Sequence, residues 1–444
     1  MKQFITTSAL LLVSLVGLAQ LSPQITSWII NTNSAVGSCT ACASQTITSV
    51  PANIQTVQYS ATQVYVSATG VPSYNIGLWT ANPNQPANQN LVCKFTRAAV
   101  QNTSTAIYCP NGSIGLWSNG VAIFNPKDGQ YWNNSTGAFA NGVTTTGYNR
   151  NALVYEGVSF DNCLGHPQQQ GTYHNHVNPT CLYNSANTAV HSPIIGYAFD
   201  GFPIYGAYAY TNTNGTGAIK RMTPSFVLAP STGTVLLGAN SASAAATPTT
   251  PTTRNAGPPV NTSYPLGNML EDYVYVAGSG DLDFHNGRFC ITPEYPSGTY
   301  AYFVTIDATG YPVYPFVLGP TYYGTVQAGN TGPGGGHNTI TEPTTVYTPT
   351  STATGISEIT NKAIMCIIWP NPVEDVTSIY MDVNSKNNVK GSLYNTKGQL
   401  IQTFDNLQPS ISYPLDMSNY SSGIYMLVLE SGNEVIKQKI LKVK

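Results

Sequence analysis

The chain has 444 residues, of which only 8% are charged, and a net charge of −2. That excludes a surface for nucleic acid or anionic membranes, which needs clustered Lys and Arg. Its 29 tyrosines, 13 phenylalanines and 5 tryptophans exclude wholesale disorder, because they supply apolar area for the cores of two or three domains.

Tyr, Thr, Val, Gly, Pro and Asn dominate, and amphipathic helical patterns are hard to find, so the expected fold is mainly β. A large, irregular all-β domain is expected over 20–326, and a small C-terminal antiparallel β-sandwich over 366–444. Residues 1–19 read as an export signal, with Lys2, the apolar run Ala9–Leu18 and the small-residue cleavage site Gly17-Leu-Ala19. The apolar run is too short to span a bilayer, so no membrane span is expected in the mature protein. Export makes the eight cysteines disulfide formers. Cys93–Cys109 and Cys163–Cys181 are the expected local pairs, and Cys39-Thr-Ala-Cys42 is read as a structural bridge rather than a redox couple.

In chain order, alternating segments such as Thr62–Ser67 read as strands. Asn119-Gly120, between the apolar runs of Ile114–Asn125, is a hairpin signal. Four of the six histidines then fall close together: His166, His174, His176 and His191. Residues 239–262 are low in complexity and expected as a loop inserted in one domain. A fifth histidine, His285, lies in the dense patch Asp281-Leu-Asp-Phe-His-Asn-Gly-Arg288. Residues 327–365 are expected as a flexible linker.

Two resemblances follow. Trp369-Pro-Asn-Pro-Val373, Leu393–Ile401, Gly423–Val428 and the basic end Lys437–Lys442 resemble the sorting domain of the type IX secretion system of Bacteroidetes. That resemblance implies a secreted or cell-surface protein, with the secretion machinery and its sorting protease as partners. The middle of the chain resembles the YHYH domain family. The matching segments are Asp161–Pro167, Gly171–His176, His191–Gly206, Asp281–Arg288 and Thr292–Tyr300. The sequence Tyr173-His174-Asn175-His176 departs from the naming motif, since Asn175 stands where the family has Tyr. The family implies no established chemistry, which has to come from the residues.

His174 and His176 are two apart, and on a strand such residues share a face. A third donor would complete a set with an open position. His166 and His191 are the nearest candidates, with His285 behind them. Imidazoles without free thiolate suit zinc or copper. Calcium is disfavoured, because Asp281–Gly287 lacks EF-hand spacing. Tyr173, Asp200, Asp281, Asp283 and Arg288 are expected around the metal or substrate, with Arg288 either pairing with an aspartate or clamping a carboxylate. Hydrolysis by such a centre would use Asp200 or Glu156 as general base. No G-x-S-x-G, HExxH or P-loop is present, so whether the protein is an enzyme stays open. The competing expectation is a surface adhesion or glycan-binding module, whose histidines only pack. The metal reading requires at least three of the five histidines to converge.

Overall fold

The computed structural model describes residues 21–443 apart from 40–41, 43–45, 80, 145–146, 230–235, 238–256, 333, 350–363, 370–372, 384–388, 396–397, 409–411 and 432–433. The export signal, most of the low-complexity stretch and the end of the expected linker therefore lie outside the described residues.

The fold is mainly β. A first antiparallel sheet joins Ile54–Tyr59, Gln63–Ala68 and Leu91–Thr96. Val57, Val64, Val66 and Phe95 bury completely on its inner face. The two-residue strand Thr345–Val346 extends this sheet beside Ile54–Tyr59. Asn330 Nδ2 donates to Lys94 O at 2.6 Å, and Asn338 N donates to Val92 O at 3.0 Å. Much of the segment expected as a linker, from Gly329 to Tyr347, is thus hydrogen-bonded onto the first sheet. Its asparagine amides and backbone supply the bonds that composition alone does not reveal.

The central sheet has eight strands. In spatial order they are Gly287–Cys290, Thr299–Phe303, Pro203–Tyr205, Ile194–Ala198, Ser113–Trp117, Ala122–Phe124, Tyr173–Asn175 and His166–Pro167. The Asn119-Gly120 hairpin is present between the fifth and sixth of these. Gly120 has φ +85°, its N–H donates to Trp117 O at 2.8 Å, and an added Cβ would lie 2.6 Å from Ala68 Cβ. Phe95 of the first sheet packs on Tyr197 and Phe199, with ring centroids about 6 Å apart, so both sheets share one core. Each such ring buried contributes about 1.5–3 kcal/mol.

The C-terminal region is an antiparallel sandwich. One sheet holds Ile364–Trp369, Val376–Val383 and Ser412–Asp416; the other holds Val389–Asn395, Leu400–Leu407, Gly423–Ser431 and Glu434–Lys442. Ile379 and Met381 from the first meet Leu393, Leu427 and Leu429 from the second. Gly423–Ser431 buries nearly every second residue, as a strand with one face inward must.

Cys39–Cys42 and Cys163–Cys181 are disulfides. The expected Cys93–Cys109 bridge is not formed, and both thiols are buried and free. Cys93 belongs to the first sheet, whereas Cys109 Sγ faces Gly319 O at 3.5 Å. Nearness in sequence does not bring their β-carbons together. No helix among the described residues is long and apolar enough to cross a membrane.

Candidate metal centre

The centre lies at the edge of the central sheet formed by His166–Pro167. This short strand pairs antiparallel with Tyr173–Asn175, setting His166 opposite His174. Tyr173–Asn175 runs parallel to Ala122–Phe124 on its other side. Period-2 alternation then places His174 and His176 on one face. Asn175 points the other way and donates to Cys163 O at 2.9 Å. This explains why an amide serves at that position: its side chain does not face the histidines.

The three imidazoles meet through Nε2. His166 Nε2 is 3.1 Å from His174 Nε2, which is 3.0 Å from His176 Nε2. Each Nδ1 has its own partner: Ser159 Oγ at 2.7 Å for His166, Thr172 O at 3.0 Å for His174 and Asn125 O at 2.6 Å for His176. The two carbonyls can only accept, so His174 and His176 carry the proton on Nδ1. Ser159 Oγ donates its single proton to Glu156 O at 2.8 Å, so it accepts from His166 Nδ1–H. The Nε2 atoms of His166 and His174 are therefore bare acceptors facing each other, and His176 Nε2 lies against the second of them. Burial, helped by the neighbouring imidazoles, pushes His166 down to about 4 and His174 well below the ordinary histidine value. These two rings are neutral at pH 7.

Glu156 completes the surroundings. Its Oε2 lies 3.2 Å from His176 Nε2 and 3.8 Å from His166 Nε2, and it is buried with no hydrogen-bond partner. One turn places both Glu156 and Ser159. The short helix Ala152–Tyr155, capped by Asn151, ends at Glu156 and passes into the 3-10 turn Gly157–Ser159. Phe124 stacks on His174 at 3.8 Å, and Phe160 meets His166 edge-on at 4.8 Å. Beneath, the buried Asp161 carboxylate accepts from Gly77 N, Trp79 Nε1, Cys163 N, Gly165 N and Tyr173 OH. It ties the loop before His166 to the strand carrying His174. Desolvation raises it to about 6, leaving it ionised at neutral pH.

The other expected residues lie elsewhere. His285 precedes Gly287–Cys290, the strand at the opposite edge of the central sheet, and its Nδ1 faces Thr321. His191 packs among Tyr205, Tyr210 and Phe303, with Nδ1 donating to Ser192 O at 2.7 Å. Neither joins the three-histidine group. Their sequence patches lie near the first in the chain, or match it in density, but the topology separates them. Tyr173 faces Asp161 rather than the imidazoles. Asp200 accepts from Tyr302 OH at 2.6 Å and Gly324 N at 2.8 Å. Asp281 is paired with Lys220 at 2.7 Å, and Asp283 accepts from Tyr300 OH at 2.8 Å. Arg288 pairs with none of these aspartates: Nη2 donates to Tyr210 O, and the guanidinium lies over Phe303. The carboxylates expected as calcium donors are thus occupied separately. Ser159, Asn125 and Phe124 were not singled out by sequence reasoning. Of these, only the Asn119-Gly120 hairpin, which sets Ala122–Phe124, left a local signal.

Against known proteins, the YHYH protein family model matches residues 92–315, half of the chain, and the chain belongs to this family. A secretion system C-terminal sorting domain matches residues 367–443. The protein is therefore secreted or cell-surface, and is directed to the type IX secretion machinery. No curated protein matches. Among solved structures, the dimeric latent PorU of Porphyromonas gingivalis is similar at 23% identity and a TM-score of 0.16. That match covers 18% of this chain and 9% of the other, and carries no argument about fold or function.

Proposed function

We propose that the YHYH region holds a mononuclear zinc or copper ion on His166, His174 and His176, with Glu156 on its open side. The observation that carries this reading is the convergence of three Nε2 atoms, those of His166 and His174 bare and 3.1 Å apart. Two bare, buried acceptors at 3.1 Å repel each other and leave hydrogen-bonding capacity unused. A cation reverses both costs. Nitrogens about 2.05 Å from a tetrahedral ion lie about 3.3 Å apart, close to the two shorter spacings found, and all three ligand atoms lie within 4.8 Å of one another. The Nδ1 partners are those a ligand needs, since each fixes the tautomer and orientation of its ring. The alternative of histidines that merely pack accounts for Nδ1 but leaves the bare Nε2 atoms of His166 and His174 facing each other.

Three imidazoles without thiolate suit a borderline cation and leave a position open. An ion held there would polarise a bound water or substrate oxygen. Glu156 Oε2, placed beside two of the ligands and unpaired, is the group able to accept a proton at that position. Asp200, the other base considered from sequence, is fully buried and occupied by Tyr302 and Gly324.

Metal content of the purified, untagged secreted protein tests the reading. One zinc or copper per chain is expected, lost in the His174→Ala/His176→Ala variant. Native protein that is empty and takes up neither added metal would refute it.

A further inference from the structure

The histidine centre forms part of the wall of a cavity of about 1000 Å³, bounded on one side by Asn82–Asn84 and Gln168–Gln170 and on another by Gly332 and Gly334–His337. From these walls we infer that the cavity binds a neutral carbohydrate chain. The inference rests on the proposed metal centre only for what meets the ligand at the histidines.

Charge decides first. Among the described residues, three charged ones line the cavity, Lys127, Asp128 and Glu156. Lys127 is buried, and the Asp128 side chain, only 1% exposed, is held by Arg150. Glu156 is the one charge that faces the space, and it belongs to the metal centre. Away from the histidine centre a phosphorylated or acidic ligand would meet no free cation, and a basic one no second carboxylate. Lipid is excluded by the amides. Asn84, Asn111, Gln169 and Gln170 line the walls, and among the described residues their side chains have no protein hydrogen bond. Each amide offers two donors and an acceptor, which suits hydroxyls that both give and accept. The Phe124 ring lines the same space and supplies an apolar face for a sugar ring.

An extended peptide is the other neutral polar chain, and its usual mode of binding is strand addition at a sheet edge. The edge here is His166–Pro167. Proline has no N–H to give, and Pro167 O already accepts from Asn82 Nδ2 at 2.9 Å. No ladder can be added there. The volume, at the upper end of the range for ligand cavities, favours several sugar units over one.

Calorimetric titration of the mature secreted protein tests this, using cellohexaose, xylohexaose and laminarihexaose as neutral probes. Hexagalacturonate and an alanine–glycine hexapeptide serve as the anionic and peptide probes. At least one neutral oligosaccharide should bind saturably, with affinity weakened about tenfold or more in Asn111→Ala/Gln169→Ala. Unchanged metal content and melting temperature in that variant would show that its fold is intact. No binding of the neutral probes, or tighter binding of hexagalacturonate or peptide, overturns the inference. Metal content is read separately, so an empty protein that still binds the oligosaccharide overturns the metal reading and leaves this one standing. Metal-loaded protein that binds none does the reverse.

Discussion

The two edges of the central sheet carry similar clusters of residues and use them differently. At one edge, His166, His174 and His176 satisfy their Nδ1 atoms and turn their Nε2 atoms toward one another. At the other, Asp283, His285 and Arg288 each have partners of their own in Tyr300, Thr321 and Tyr210. Density of polar residues in sequence therefore does not define a site. Buried atoms without partners occur at both edges, Arg288 Nε and Asn286 Oδ1 among them, and what sets the histidine edge apart is that three donor atoms converge on one point.

The comparison can be broken by paired substitutions. The largest effect expected is on metal: His174→Ala reduces bound metal from about one equivalent to none, whereas His285→Ala leaves it unchanged, as read by elemental mass spectrometry. Equal loss in both would show that the two edges are not distinct. Next comes Asp161→Ala, which leaves five buried donors without their carboxylate. It should cost about 3 kcal/mol or more in denaturant unfolding, and lower metal affinity about 10–100-fold by freeing the two histidine-bearing segments. Asp283→Asn, at the opposite edge, should cost about 1–3 kcal/mol in the same assay with metal retained.

The smallest effect concerns acid. Burial lowers His191 to about 4, so it is neutral in the fold and binds a proton only after unfolding near its ordinary value. The unfolded state then holds more protons, and stability falls as pH drops from about 6.5 toward 4. His191→Gln should flatten that part of the pH–stability curve by on the order of 1–3 kcal/mol. An unchanged slope would remove His191 from the account.

Much of this was legible in the sequence, for reasons that also mark the limits. Residues two apart on a strand share a face, so the pairing of His174 with His176 followed from period alone. Asn119-Gly120 signalled a hairpin in the same way, and several strand-like segments separated by turn signals indicated the C-terminal sandwich. His166 joined the pair through a local antiparallel contact eight residues away. By contrast, Asn125 supplies its carbonyl through the parallel pairing of Ala122–Phe124 with Tyr173–Asn175, about fifty residues apart in sequence, and no local pattern encodes that. Glu156 needed the turn that ends one short helix and begins a 3-10 turn. His191 and His285 appeared equivalent to the others because residue type records chemistry, not strand order. The glycine-rich 329–347 segment read as linker because its bonds to the first sheet use asparagine amides and backbone groups.

The most direct test of the central claim is X-ray absorption spectroscopy of the metal-loaded mature protein. The account predicts a shell with three imidazole nitrogens at about 2.0–2.1 Å for zinc, with oxygen completing it, and loss of the imidazole scattering in His174→Ala/His176→Ala. A shell of oxygens alone, or one with fewer than three imidazoles in the native protein, would contradict it.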